Sequence, residues 1–387
     1  MFLNFIFHIL SLLGLCSFAK ANLLSPSIES SVPSIVRVHI FVHGTYMPGF
    51  IFFDPRGALK HNIGEQSYYV KALKSVRSKE LASRRQLLLG QGLQEIDDKI
   101  FEHWEQKNLP THLKHKAAVP IIVAYDQFVD KDGVINKYFT YGWLGVLDDD
   151  YRCAEAKNFY LALDSLHSKL QKEYPENTIE FILNGHSHGG NLILYLAKYE
   201  HEYKKQLPIY FAGLYATPIQ QETVNFCRDP LFKNIFLVYS NGDIVQNNDR
   251  FSTKTKISYR KFTDLISLED APNNIYQVCV CAHNKSTVFG HQSMFCFDSY
   301  YQLVNRVHRS TNAHRRAVNA LSPLPLVTFS PIIMRLLSGV PVGSMKLSVE
   351  YLSNTCFFAI SENNAYAQSE DILPKLTHIK RSIKNNW

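Results

Sequence analysis

The chain alternates between two kinds of hydrophobic spacing. Short runs rich in β-branched and aromatic residues stand at 34–42 (Ser-Ile-Val-Arg-Val-His-Ile-Phe-Val), 120–125, 134–141, 178–183, 208–215, 235–240 and 275–281. Runs of that length and composition predict strands. Between them lie segments with apolar residues three and four apart. The clearest follows Asp148-Asp149-Asp150, whose carboxylates suit a helix N-terminus, and carries Phe159, Leu163, Leu166 and Leu170 before Pro175. Residues 192–203 and 292–307 read as further helices, and 220–227 as a short one. Strands alternating with helices predict an α/β fold, a mostly parallel central sheet with helices on both faces.

Two stretches break the alternation. Between about 50 and 118, the segments 69–89 and 93–107 carry helical spacing among many charges, which predicts a largely helical insertion between two strands. The run 275–281 reads as the last clear strand. After 304 comes a basic stretch with Arg306, Arg309, Arg315 and Arg316, then an apolar segment at 324–342 interrupted by Pro325, Pro331, Arg335 and Pro341. Those interruptions argue against a membrane-spanning helix, which needs about 20 consecutive apolar residues. Residues 305–387 are therefore read as a C-terminal extension, serving either packing or docking at a membrane surface.

The first 21 residues form an apolar run closed by Ala19-Lys20-Ala21. That small-x-small ending predicts a secretory signal peptide and an exported protein, in the periplasm, the extracellular space or the secretory pathway. No Lys or Arg precedes Lys20, so an uncleaved N-terminal membrane anchor is the alternative. A lipid attachment at Cys16 fits less well, because Leu15 before it is not small. The expected organisation is a signal at 1–21, an α/β domain at 22–304 with its insertion, and the extension at 305–387. Export permits disulfides among Cys153, Cys227, Cys279, Cys281, Cys296 and Cys356. Cys279 and Cys281 would alternate faces of a strand and are poor partners for each other.

Composition narrows the class. With 387 residues, 46% hydrophobic and 19% charged, the chain has the material for a sizeable core and is neither disordered nor fibrous. The formal net charge of +7 favours anionic surfaces, and peripheral contact with an anionic membrane is one expected partner. No zinc-finger, RNA-binding or phosphate-loop pattern accompanies that charge, so nucleic acid is not an expected partner.

The strongest chemical signal is Gly185-His186-Ser187-His188-Gly189, set between a predicted strand and a predicted helix. In that context Gly-x-Ser-x-Gly makes a tight turn that thrusts the Ser hydroxyl outward, with Gly185 and Gly189 removing side chains that would collide with nearby backbone. The helix N-terminus that follows favours developing negative charge. A Ser hydroxyl needs a base to take its proton, and the base needs an acid to orient it. Asp243, in Asn241-Gly242-Asp243 after a later strand, is the candidate acid, with Asp249 as runner-up. His291, in Phe289-Gly290-His291, is the candidate base, with His283 as the alternative. An oxyanion formed at Ser187 needs two amide donors. The N–H groups of His188 and of Thr45, in His43-Gly44-Thr45 at the end of the first strand, are the candidates.

His186 and His188 also spell a His-x-His pair. Metal-dependent hydrolases of that kind need further Asp and His ligands close behind, and here Gly189, Gly190, Asn191 and Leu192 follow. No metal ligand is therefore assigned.

Phe-Val-His-Gly-Thr at 41–45, Asn-Gly-His-Ser-His-Gly-Gly-Asn at 184–191, Asn-Gly-Asp at 241–243 and Gly-His at 290–291 together resemble the α/β-hydrolase superfamily, especially its lipases and esterases. The resemblance spans roughly 34–304. It implies the α/β-hydrolase fold, a Ser-Asp-His triad acting on carboxylic esters, no metal and no organic cofactor. It also suggests a lid role for the insertion at 50–118, which departs from a minimal member. A lipid or other apolar acyl ester is the expected substrate. Thioesterase, peptidase or acyltransferase chemistry would use the same residues, and a non-catalytic binding module on the same fold is the remaining alternative.

Overall fold

A computed structural model describes residues 34–45, 92–97, 121–122, 125–249, 252–282, 291, 326–337, 343–351, 355–360 and 366–371. The expected signal at 1–21, most of the insertion, His283 and the expected helix at 292–307 lie outside the described residues.

The described residues build one sheet with helices, an α/β architecture. Its strands are β1 (Ile35–Val42), β2 (Gly92–Ile96), β3 (Val134–Gly142), β4 (Thr178–His186), β5 (Ile209–Tyr215), β6 (Asn234–Tyr239), β7 (Asn274–Ala282), β8 (Gly343–Tyr351), β9 (Thr355–Ile360) and β10 (Tyr366–Asp371). The order across the sheet is β2-β3-β1-β4-β5-β6-β7-β8-β9-β10. From β3 to β8 every neighbour pair is parallel, while β2 runs antiparallel to β3, β9 to β8 and β10 to β9. The inner strands are apolar on both faces, as a sheet covered twice requires. Val36, Val38, Ile40, Phe181, Leu183, Leu214 and Leu237 are fully buried.

The helices are α1 (Asp149–Glu173), α2 (His188–Leu194), α3 (Leu196–Tyr203), α4 (Ile244–Asn248) and α5 (Ser330–Leu337). Asp148 caps α1 by accepting from Tyr151 N–H, and Phe159, Leu163, Leu166 and Leu170 lie along its buried face, as their spacing predicts. The expected single helix at 192–203 is two helices, α2 and α3, meeting at Tyr195. The short helix expected at 220–227 is a turn of 3-10 helix at 224–228.

Three sequence expectations differ from the structure. Residues 121–122 and 125–126 are helical, not a strand. Ile121, Ile122 and Tyr125 are nonetheless buried, and a six-residue apolar run satisfies a buried helical turn as readily as a strand. Residues 92–96 are an edge strand, not part of a helix. Leu93 pairs opposite Tyr141, and Gly92, at φ +76°, turns the chain into the ladder. Finally, β7 is not the last strand. Part of the 305–387 extension adds β8 to β10 to the same sheet, and α5 packs on the body through Arg335, whose Nη1 donates to Phe128 O (3.0 Å) and meets Asp130 (3.1 Å).

Among the described residues no helix is long and apolar enough to cross a membrane. Cys153 and Cys227 are free thiols.

The strand order reverses once. From β1 the chain passes to the edge strand β2 and back to β3 on one side, then crosses to β4 on the other and proceeds outward. The reversal falls between β1 and β4, and open α/β sheets bind ligands beyond the C-terminal ends of the strands at such a point.

Candidate functional site

Register brings the ends of β1 and β4 together. Val42, the last residue of β1, pairs opposite Gly185 of β4, so His43-Gly44-Thr45 leaves the sheet beside His186-Ser187-His188. Ser187 is the residue between β4 and α2. Its φ of 51° and ψ of −125° are a conformation that non-glycine residues adopt only under constraint. Two hydrogen bonds supply part of that constraint: Ser187 N–H donates to Tyr215 O (2.8 Å), and Ser187 O accepts from Gly190 N–H (3.0 Å).

Glycines make the crowding tolerable. A Cβ on Gly189 would stand 2.5 Å from His43 O and 2.7 Å from Val42 O, and one on Gly185 would stand 2.8 Å from the backbone of Gly189 and Gly190. A Cβ on Gly44 would stand 2.7 Å from Ser187 Cβ. Gly44 therefore lets the first loop lie directly against the serine.

That loop is held from behind. His43 Nδ1–H donates to Gly44 O (2.6 Å), and His43 Nε2 lies against the Trp143 backbone, 3.1 Å from its N and 3.0 Å from its O. Trp143 Nε1–H donates to His43 O (2.8 Å), and the two rings stack at 5.5 Å. Both residues are buried. Thr45 follows at the end of the described segment. The sequence motif marks His43 and Gly44, but nothing local marks Trp143, which is 100 residues away.

The candidate acid and base meet. His291 Nδ1 lies 2.8 Å from Asp243 Oδ2. Asp243 is the N-cap of α4, and its other oxygen, Oδ1, accepts from Val245 N–H (2.9 Å) and Gln246 N–H (3.3 Å). One carboxylate thus starts a helix and holds an imidazole. Arg260 Nη2 donates to Asp243 O (2.8 Å), a further anchor that the sequence did not suggest. With Nδ1 engaged by a carboxylate, Nε2 is the nitrogen through which His291 can exchange a proton. On its other side the His291 ring contacts that of His186 at 4.9 Å, one residue before Ser187.

Asp249, the runner-up acid, has a different partner. Its Oδ2 lies 3.0 Å from His188 Nε2 and accepts from Gln220 Nε2 (3.0 Å) and from Ser252 Oγ. Arg152, fully buried on α1, donates through Nη2 to Asp149 Oδ1 (3.0 Å), Gln220 Oε1 (3.0 Å) and Ser252 O (2.7 Å). Tyr195 OH donates to Asp149. Burial works to raise the Asp249 pKa, but contacts with His188, Ser252 and Arg152 outweigh it and hold the carboxyl well below its ordinary range. Burial, aided by Arg152, lowers the pKa of His188. The proton count agrees. Asn191 Nδ2 donates to Pro218 O (2.9 Å) and lies 3.3 Å from His188 Nδ1, so Nδ1 accepts and the imidazole is neutral.

The rings of His186 and His188 have different partners, His291 O (3.0 Å) and Asp249 (3.0 Å). Among the described residues no group of three or more metal-binding side chains occurs. A cavity of about 810 Å³ lies at the other end of the sheet, lined by 263–269 and the starts of β7 and β8, and includes none of these residues.

Ser187 and His188 thus follow the C-terminal end of β4, Asp243 that of β6 and His291 that of β7, with Gly44 against Ser187 and Asp243 against His291. No family model, curated protein or solved structure matches the chain.

Proposed function

We propose that this protein is a serine hydrolase of the α/β-hydrolase kind, cleaving carboxylic esters with apolar acyl chains through Ser187, His291 and Asp243. The observation that carries the reading is the 2.8 Å contact between His291 and Asp243, formed on the ring that also touches the residue before a strained, positive-φ serine. The sheet order supports it as well. Nucleophile, acid and base follow β4, β6 and β7 in the chain order Ser, Asp, His.

In this reading His291 Nε2 takes the Ser187 proton as Oγ attacks the ester carbonyl. The Asp243 carboxylate keeps the hydrogen on Nδ1 and stabilises the imidazolium that forms. The N–H groups of His188 and Thr45 receive the oxyanion, the former at the N-terminus of α2 where the helix dipole adds to it. The alcohol leaves with the proton from His291. Water, deprotonated by the same ring, then frees the acid from Ser187.

The test is hydrolysis of p-nitrophenyl esters from acetate to palmitate, together with fluorophosphonate labelling, on the wild type and on Ser187→Ala. Wild-type turnover that rises with acyl length, and labelling lost in the variant, are expected. A wild type that neither turns over any ester nor takes the label would leave a binding module on this fold. Labelling that persists in Ser187→Ala would remove Ser187 from the role.

A further inference from the structure

The residue before the serine has no part in the chemistry above, yet its side chain touches the loops on both sides. His186 ends β4 and is 5% exposed. Its Nε2 lies 3.0 Å from the backbone oxygen of His291, and the two imidazoles meet at 4.9 Å with 48° between their planes. Toward β1, a Cβ on Gly44 would stand 3.2 Å from His186 Nδ1, so the first loop packs against the same ring.

A carbonyl oxygen only accepts, so His186 Nε2 carries the hydrogen. Burial, with the neighbouring His291, lowers the His186 pKa to about 3. The ring is therefore neutral at ordinary pH, and Nδ1 holds no proton. Its neutrality has a consequence next door. His291 gains positive charge when it takes a proton, and a second cation 4.9 Å away would oppose that step.

The Asp243 contact holds the His291 ring at Nδ1, and the His186 contact holds the main chain of the same residue. We propose that His186 is a positioning residue: its Nε2–H pins the His291 backbone to the tip of β4 and so sets where the basic imidazole stands relative to Ser187. This rests on the triad reading above.

Two substitutions separate the donor from the ring. His186→Phe keeps an aromatic ring against His291 and deletes the donor. His186→Gln places an amide N–H near the position of Nε2. In His186→Phe, kcat falls by about 10- to 100-fold with KM within about twofold, the range for losing a group that orients an active one. Fluorophosphonate labelling slows by the same factor, because it needs the same base. His186→Gln recovers to within about threefold of wild type. A His186→Phe enzyme with wild-type kcat, or a Gln variant as impaired as Phe at equal Tm, overturns the proposal.

A readout free of turnover guards against a variant that does not fold and against an inactive wild type. Long-range 1H–15N spectra of the wild-type protein report each histidine tautomer. His186 is expected as the neutral Nε2–H form from pH 8 to pH 5, with a slowly exchanging ring proton. A His186 that titrates above pH 6, or carries its proton on Nδ1, overturns the clasp whether or not the protein hydrolyses esters. Wild-type inactivity with the expected tautomer instead removes the triad reading and leaves the contact standing.

Discussion

His188 and Asp249 form a second buried imidazole–carboxylate pair, 3.0 Å from Nε2 to Oδ2, one residue along from Ser187. It duplicates the chemistry of His291 and Asp243 but joins a closed network of Arg152, Asp149, Gln220 and Ser252. The two carboxylates therefore predict opposite phenotypes. Asp249→Asn strips a charge from a buried cluster and is expected to cost about 3 kcal/mol of stability. Asp243→Asn leaves the fold nearly unchanged and lowers kcat by about 10⁴-fold, by giving His291 the wrong tautomer. Urea unfolding and p-nitrophenyl butyrate turnover on both variants decide it. A stable Asp249→Asn enzyme with the larger loss of kcat would make Asp249 the acid.

Buried neutral histidines predict an acid-labile fold. His39 is bonded through Nε2 to Asn136 Oδ1 (2.8 Å) and contacts Tyr125 OH (3.0 Å), and burial lowers its pKa to about 4. His186 is lowered to about 3. A lowered histidine pKa means that the unfolded chain, near 6.5, binds a proton before the folded one does. Stability is complete above pH 6.5 and drains as pH falls toward the folded values. At pH 5 each of the two sites contributes a loss of about 2 kcal/mol relative to pH 8. Asp249 acts lower down: its depressed pKa supplies stability above about pH 4 that disappears below it. Equilibrium urea melts at pH 8, 6.5 and 5 check this. Equal midpoints and slopes at pH 8 and pH 5 would contradict it.

Two glycines separate crowding from backbone strain. Gly189→Ala drives a methyl into the carbonyls of His43 and Val42, which are main-chain atoms at the tip of β1 and cannot rotate away. A loss of about 3 kcal/mol and at least about 100-fold in kcat is expected, since the displaced loop carries the proposed Thr45 donor. Gly133→Ala has open space around it and only a φ of +68° to tolerate. It is expected to cost about 1 kcal/mol and leave kcat unchanged. Thermal melts and turnover of the two variants provide the comparison. A Gly189→Ala enzyme of wild-type activity would mean that the loop is not tightly seated.

Local constraints were legible in the sequence, and distant ones were not. The glycines around Ser187 follow from a turn whose requirements sit within five residues. Asp243 and His291 stood out because each follows an expected strand at a glycine. Phe159, Leu163, Leu166 and Leu170 gave α1 its buried face through spacing alone. By contrast, Asp243 and Asp249 look alike in sequence, and only contacts across the fold assign one to His291 and the other to His188. Trp143 and Arg260 hold site residues through hydrogen bonds that no local pattern encodes. The run at 120–125 was misread because hydrophobicity reports burial, not backbone geometry. β2 was misread because an edge strand with one wet face shows little alternation over five residues.

The part of the chain after 304 is structural. β8 covers one side of β7 from Tyr276 to Ala282, and Ser330 of α5 is hydrogen-bonded to Tyr215 of β5 in the heart of the sheet. A premature stop codon anywhere between 305 and 325 would consequently not release a trimmed, working protein. It would leave β7 with a naked row of amides and carbonyls inviting another polypeptide, and the product would collect in inclusion bodies.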